Sequence, residues 1–151
     1  MRSHKHKIVL ASGSFDLVHY GHIRFLEEAK KAGGENSYLV VIVARDKTVE
    51  KLKGRKPIIP EDQRRAVVES LKPVDEAILG FEDLSFKDAI KSIRPDVIAI
   101  GHDQDKIERD LRKAAIEIGV KVKIVQIGRF GPLDLDSSSK IRRRILDEGN
   151  E

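Results

Sequence analysis

No cysteine occurs anywhere in the 151 residues. Disulfides, thiolate metal sites and thiol nucleophiles are therefore excluded, and the absence fits a reducing cytoplasm. Tryptophan is also missing, and aromatics make up only 5% of the chain, which argues against a base-stacking nucleic-acid module. The longest apolar run, Tyr38 to Ala44, falls far short of the ~20 residues of a membrane span. The basic start, MRSHKHK, leads into no signal-length apolar stretch and no small-residue cleavage site. Residues 1–6 read as a flexible tail, and the expected compartment is the cytoplasm. Neither sign of charge dominates: 29 Lys plus Arg stand against 25 Asp plus Glu, a formal net charge of +4. That excess admits an anionic ligand without calling for nucleic acid or membrane. There is no internal repeat, low-complexity tract or linker, so residues 1–151 read as a single domain.

What is present alternates between strand and helix. Residues 8–12 are a short apolar run ending at Gly13, and 38–44 a continuous β-branched run, as in a strand covered on both faces. Between them, Ile23, Phe25, Leu26, Ala29 and Ala32 lie close to a helical stripe that Gly33-Gly34 ends. A charged helix is expected over 46–52, then a Gly/Pro loop. The next helix has Pro60 in its first turn and the acids Glu61 and Asp62 near its positive dipole end. Strands follow over 76–79, 96–101 and 120–127, separated by helices over 86–93 and 105–118. Ser137-Ser138-Ser139 caps a basic last helix. The pattern predicts an α/β fold, an open parallel five-stranded sheet with helices on both faces. Ligands of such sheets sit beyond the carboxyl ends of the strands, near the topological switch point.

At the end of the first strand stands GSFDLVHYGH, residues 13–22. Gly13 and Ser14 allow a close turn, Phe15 can anchor the loop in the core, and Asp16 can cap local amides. His19 and His22, three apart in a first helical turn, can point the same way. Gly21 between them leaves the backbone open to a ligand. Two imidazoles beside a helix N-terminus make an anion site. Metal binding is the competing use of two histidines, but the carboxylate partners in view are only Asp16 and Asp103, too few for a closed structural site.

This segment resembles the G-x-F-D-x-x-H-x-G-H signature of the cytidylyltransferase-like nucleotidyltransferases. The resemblance implies a Rossmann-like sheet, with His19 and His22 on the nucleotide triphosphate and at the transition state on its α-phosphorus. It also implies nucleotide contacts at Ser14, Phe15, Tyr20 and Gly21. Residues 137–142, SSSKIR, are similar to the family's late Ser/Thr-rich helix start, where Ser138 and Ser139 would hold the β- and γ-phosphates. Residues 41–80 resemble the archaeal FAD synthases of the superfamily, as does the GHDQ turn at 101–104; the chain differs from them in lacking cysteines near the C-terminus. The activity implied is AMP transfer from ATP to FMN, giving FAD and pyrophosphate. Mg²⁺ or another divalent cation would ride on the nucleotide phosphates, and the protein would be a homodimer by analogy. Asp103 is expected at the ribose or base, Arg129 at the base or phosphates, and Lys47 at the phosphates or acceptor.

A phosphate acceptor is already ionised at neutral pH, so the chemistry calls for cations rather than a strong base. Between Arg45 and Arg65 there are eight basic and four acidic residues. Lys53, Arg55 and Lys56 lie there on a loop able to close over the site. A flavin ring would rest on aliphatic side chains or on Phe81, Phe86 or Phe130. Two alternatives stand beside this reading: a cytidylyltransferase acting on glycerol 3-phosphate or a similar small phosphorylated alcohol, and a non-catalytic nucleotide-binding sensor.

Overall fold

The computed structural model describes residues 6–80, 85–102, 104–128 and 137–149. Its elements in chain order are β1 (Lys7–Gly13), α1 (Tyr20–Ala32), β2 (Ser37–Val43), α2 (Asp46–Lys53), α3 (Glu61–Glu69) and β3 (Glu76–Leu79). They continue with α4 (Phe86–Ile93), β4 (Val97–Gly101), α5 (Asp105–Ile118), β5 (Lys123–Ile127) and α6 (Ser138–Gly149). The strands form one five-stranded sheet in the order β3-β2-β1-β4-β5, and every pairing is parallel. The order reverses between β1 and β4, which puts the topological switch point, where ligands of such sheets bind, beyond the carboxyl ends of those two strands. The segment carrying the two histidines leaves β1 at that point.

The pleat of the strands explains the layering. Val9 and Ala11 point to one face of β1 and Leu10 to the other, as period-2 alternation requires. Val9 and Ala11 join the core built with Leu26 and Ala29 of α1 and Val68 of α3. Leu10 joins the core built with Ile90 and Ile93 of α4 and Leu111 and Ala114 of α5. Helices therefore cover both faces, and the central strands are apolar on each side. Phe86, at the start of α4, packs partly buried against the second core.

Three local expectations shift. Pro60 is the N-cap of α3, with φ −60° and ψ 152°, and not its first helical residue; an extended ψ at that position aims the chain into the helix. β5 begins at Lys123, three residues later than the alternation of residues 120–122 suggested. Asp16 does not cap local amides: its carboxylate accepts the Ile58 and Ile59 N–H groups at 2.8 and 2.9 Å. The turn from α1 into β2 is tight enough to require glycine: a Cβ on Gly33 would stand 2.6 Å from both Val9 Cγ2 and Ser37 Cβ.

The most consequential buried side chain is charged. Arg64 of α3 is 1% exposed. Its Nε donates to the Ile59 carbonyl at 2.8 Å, and its Nη1 to the carbonyls of Ser14 and Ala44 at 2.6 and 2.8 Å. Its Nη2 meets Asp46 at 2.6 Å. One planar guanidinium thus ties the loop after β1, the end of β2, the start of α2 and the chain entering α3. Removing it leaves buried carbonyls without donors. Arg64→Ala should lower stability by about 3–5 kcal/mol. Arg64→Lys should recover only part of that, because a point charge cannot reproduce the fork. Urea unfolding measures both; a loss below about 1 kcal/mol in Arg64→Ala would show that the clamp is dispensable.

Candidate functional site

The loop between β1 and α1 is held in a conformation that side chains seldom adopt. Phe15 and Leu17 have φ of 51° and 53°, in the left-handed region that disfavours non-glycine residues. Burial compensates: Phe15 is 3% exposed and belongs to the first core. Its ring also explains Gly13, since a Cβ there would come within 2.9 Å of Phe15 Cε2. Asp16, 6% exposed, carries the two amides already described.

His19 is the N-cap of α1, in an extended conformation. His22 stands at the third helical position. The two rings stack with centroids 3.8 Å apart and an interplanar angle of 29°, and Phe15 lies against the far side of His22 at 5.3 Å. The His19 backbone N–H donates to His22 Nδ1 at 3.2 Å. An Nδ1 that accepts carries no proton, so the neutral ring has its proton on Nε2 and donates from there. The His22 pKa is lowered to about 3. Burial is the main cause, followed by His19 and the Lys53 ammonium, with Asp16 acting in the opposite direction.

Other elements converge on the same loop. Lys53, at the end of α2, donates to Ser14 Oγ at 3.4 Å. Gly54 then takes φ +74° and turns the chain out of the helix. Arg55 reaches Ser139 Oγ at 2.9 Å. Ser138 Oγ donates to the Asp16 carbonyl. Ser137 takes the capping role in α6, accepting the Lys140 N–H at 3.2 Å, which leaves the hydroxyls of Ser138 and Ser139 turned to other partners. Residues 52–59, the end of α2 and the loop after it, therefore form a strap tied to Ser14, Asp16 and Ser139 at three points.

Of the residues expected from sequence, Ser14, Phe15, His19, His22, Ser138 and Ser139 come together with Lys53 and Arg55. Tyr20 and Gly21 occupy the first turn of α1 between the histidines, and Tyr20 is 60% exposed. Lys47 is exposed on the first turn of α2, where it lines a shallow depression with Arg45, Thr48 and Glu61. Among the described residues no hydrogen bond or ion pair joins Lys47 to the histidine pair. Asp103, Arg129, Phe81 and Phe130 lie outside the described residues. Arg64 was overlooked, although its spacing held the signal: it stands four and seven residues before Val68 and Leu71, on the stripe α3 turns inward. Among the described residues no three His, Asp or Glu side chains converge as a metal-ligand set, and no helix is long and apolar enough to cross a membrane.

A parallel sheet with paired imidazoles at the switch point, two cations and a Ser-rich helix start is an arrangement for polyphosphate chemistry. The chain belongs to the cytidylyltransferase-like family, whose model matches residues 10–144. Within that family it is similar to the FAD synthase of Ferroglobus placidus, 54% identical over 93% of this chain and 88% of that protein. It is 48% identical to the FAD synthase of Aciduliprofundum boonei over 92% of this chain and 90% of that one. The FAD synthase of Methanopyrus kandleri is 47% identical over 93% of each. A solved structure, titled the lipopolysaccharide core biosynthesis protein from Thermoplasma volcanium, superposes with a TM-score of 0.75. It is 41% identical, over 83% of this chain and 98% of that one.

The depressed pKa has a consequence for stability. Between pH 6.5 and about 3 the unfolded chain binds a proton on residue 22 that the folded chain does not. Stability therefore falls as pH is lowered through that window, by up to about 1.4 kcal/mol per pH unit from this group. His22→Asn should show a shallower acid limb than the parent when unfolding free energy is followed from pH 7 to pH 4. Parallel limbs would mean that the imidazole is protonated normally.

Proposed function

We propose that the protein transfers AMP from ATP to FMN, forming FAD and releasing pyrophosphate, at the crevice between β1 and β4. The arrangement that supports this most strongly is the stacked His19–His22 pair at the start of α1, with Lys53, Arg55 and the α6 hydroxyls tied around it. The identities of 45–54% with proteins named FAD synthase support the choice of substrates. The relatives named FAD synthase do not favour the cytidylyltransferase alternative.

In the reaction, an oxygen of the FMN phosphate attacks the α-phosphorus of ATP. A new P–O–P bond forms, and the bond from the α-phosphorus to the α,β-bridging oxygen breaks. The electron pair of that bond leaves with pyrophosphate, and no protein nucleophile takes part. His22 is neutral and donates from Nε2, so it hydrogen-bonds a non-bridging phosphate oxygen without first repelling Lys53. His19, stacked on it, faces the same group. Lys53 and Arg55 exchange their hydroxyl partners, Ser14 and Ser139, for phosphate oxygens, which are stronger acceptors. The N-terminus of α6, with Ser138 and Ser139, takes the outer phosphates. Phe15, Tyr20 and Gly21 shape the nucleotide's seat, and Lys47 adds positive field on the acceptor side. Asp103 and Arg129 belong to the base and ribose end of the proposal.

Mg²⁺ or another divalent ion enters as part of the nucleotide substrate. The Asp16 carboxylate is engaged by two amides, which suits an ion held mainly by phosphates and water. The proposal includes a cytoplasmic homodimer, which light scattering on the purified protein checks directly.

The test is an end-point assay with Mg²⁺ offering ATP or CTP against FMN or glycerol 3-phosphate. FAD from ATP and FMN is the expected product; a CDP-linked alcohol would overturn the substrate assignment. His19→Ala and His22→Ala should each lower kcat by about 10²–10³-fold, with near-native circular dichroism. Activity retained within a few-fold would remove the histidines from the phosphate site. Ser138→Ala with Ser139→Ala should weaken ATP binding in isothermal titration, and an unchanged Kd would reject that contact.

A further inference from the structure

The strap carries two side chains that its own packing does not explain. Leu52 is 67% exposed and Ile58 is 52% exposed, and they flank the cations Lys53, Arg55 and Lys56. Isolated exposed aliphatics are ordinary on protein surfaces. These two differ in being held at fixed places beside the candidate phosphate site. Leu52 adjoins the lysine bonded to Ser14, and the Ile58 N–H is fastened to the buried Asp16. Apolar side chains thus stand at both ends of a cationic run on one short anchored segment.

We infer that this strap is the acceptor-recognition element, with Leu52 and Ile58 forming the apolar seat of the isoalloxazine ring. The inference rests on the proposed use of FMN. That acceptor is a phosphate dianion joined through a five-carbon chain to a flat, largely apolar tricycle. The strap offers the matching chemistry in matching order: a guanidinium for the phosphate at Arg55, and an aliphatic surface three residues on at Ile58. Three extended residues span at most ~10 Å, on the scale of a five-carbon linker with its phosphate. With aromatics at only 5% of the chain, an aliphatic seat fits the composition. Phe86, the described one of the phenylalanines named as possible supports, packs partly buried against the second core. The strap's attachment to Ser14 and Ser139 means that acceptor and nucleotide are gripped by one structural element. This brings the attacking oxygen to the α-phosphorus by positioning rather than by chemistry.

Leu52→Ser, Ile58→Ser and the double variant test this, since substitutions at exposed positions leave folding nearly unchanged. Steady-state kinetics should give the double variant a KM for FMN raised about ten-fold, with the KM for ATP within two-fold of the parent. Quenching of FMN fluorescence on binding should weaken in parallel. An unmoved KM for FMN would overturn the inference. So would a rise in the KM for ATP instead, which would make the strap the adenine seat. A KM for FMN that responds to Tyr20→Ala and not to the strap variants would likewise overturn it, moving the ring onto α1. Parent protein that makes FAD while the double variant keeps its KM overturns the strap assignment alone. Parent protein that makes no FAD overturns the function reading and this inference with it.

Discussion

The fork of Arg64 is the constraint on which the site depends. Loops at the carboxyl edge of a parallel sheet have no neighbouring strand to satisfy their carbonyls, and the loop after β1 also carries two non-glycine residues with positive φ. Something must over-determine that conformation. Arg64 does so from beneath by filling the carbonyls of Ser14, Ala44 and Ile59. Asp16 does so from the side by holding the strap amides. The two histidines can then stack at the mouth of α1 because the backbone leading to them has one available path. A charge buried for this purpose is costly to place in the interior, and it is tolerated here because its donors are matched by carbonyl and carboxylate acceptors.

The same geometry bears on how the proposed site would meet a polyanion. Clustering lysines, arginines and protonated histidines around an empty phosphate site would raise the energy of the free protein. Burial and the Lys53 ammonium instead keep His22 neutral, and its Nδ1 is engaged by the His19 amide. What faces the crevice is then a directed N–H donor. Lys53 and Arg55 rest on hydroxyls, partners that a phosphate oxygen readily displaces. In the proposed account, acceptor specificity belongs to the apolar side chains of that same segment, Leu52 and Ile58, beside the cations that meet the phosphates.

Much of this was legible in the sequence, and for physical reasons. β2 reads as a two-sided buried strand because an unbroken run of seven apolar residues, 38–44, puts apolar side chains on both faces of the pleat. The signature at residues 13–22 reads as a phosphate site because its glycines and histidines fall where a strand hands over to a helix. Contacts between residues far apart in the chain were not legible. Asp16 looked like a local cap, yet it bonds amides 42 and 43 residues away. Lys47 drew attention because it follows β2 closely; that the end of α2 brings Lys53 to Ser14, and the turn at Gly54 brings Arg55 to Ser139, was not legible. Arg64 looked like one charge in a charged helix, although its register with Val68 and Leu71 marked it as inward-facing.

The most direct measurement is label transfer with FMN and Mg²⁺, using ATP carrying ³²P at the α-position in one reaction and at the γ-position in another. In-line attack at the histidine pair predicts that the α-label appears in FAD and that the γ-label leaves entirely in pyrophosphate. Label from the γ-position on a flavin product, or α-label released only as AMP, would contradict it.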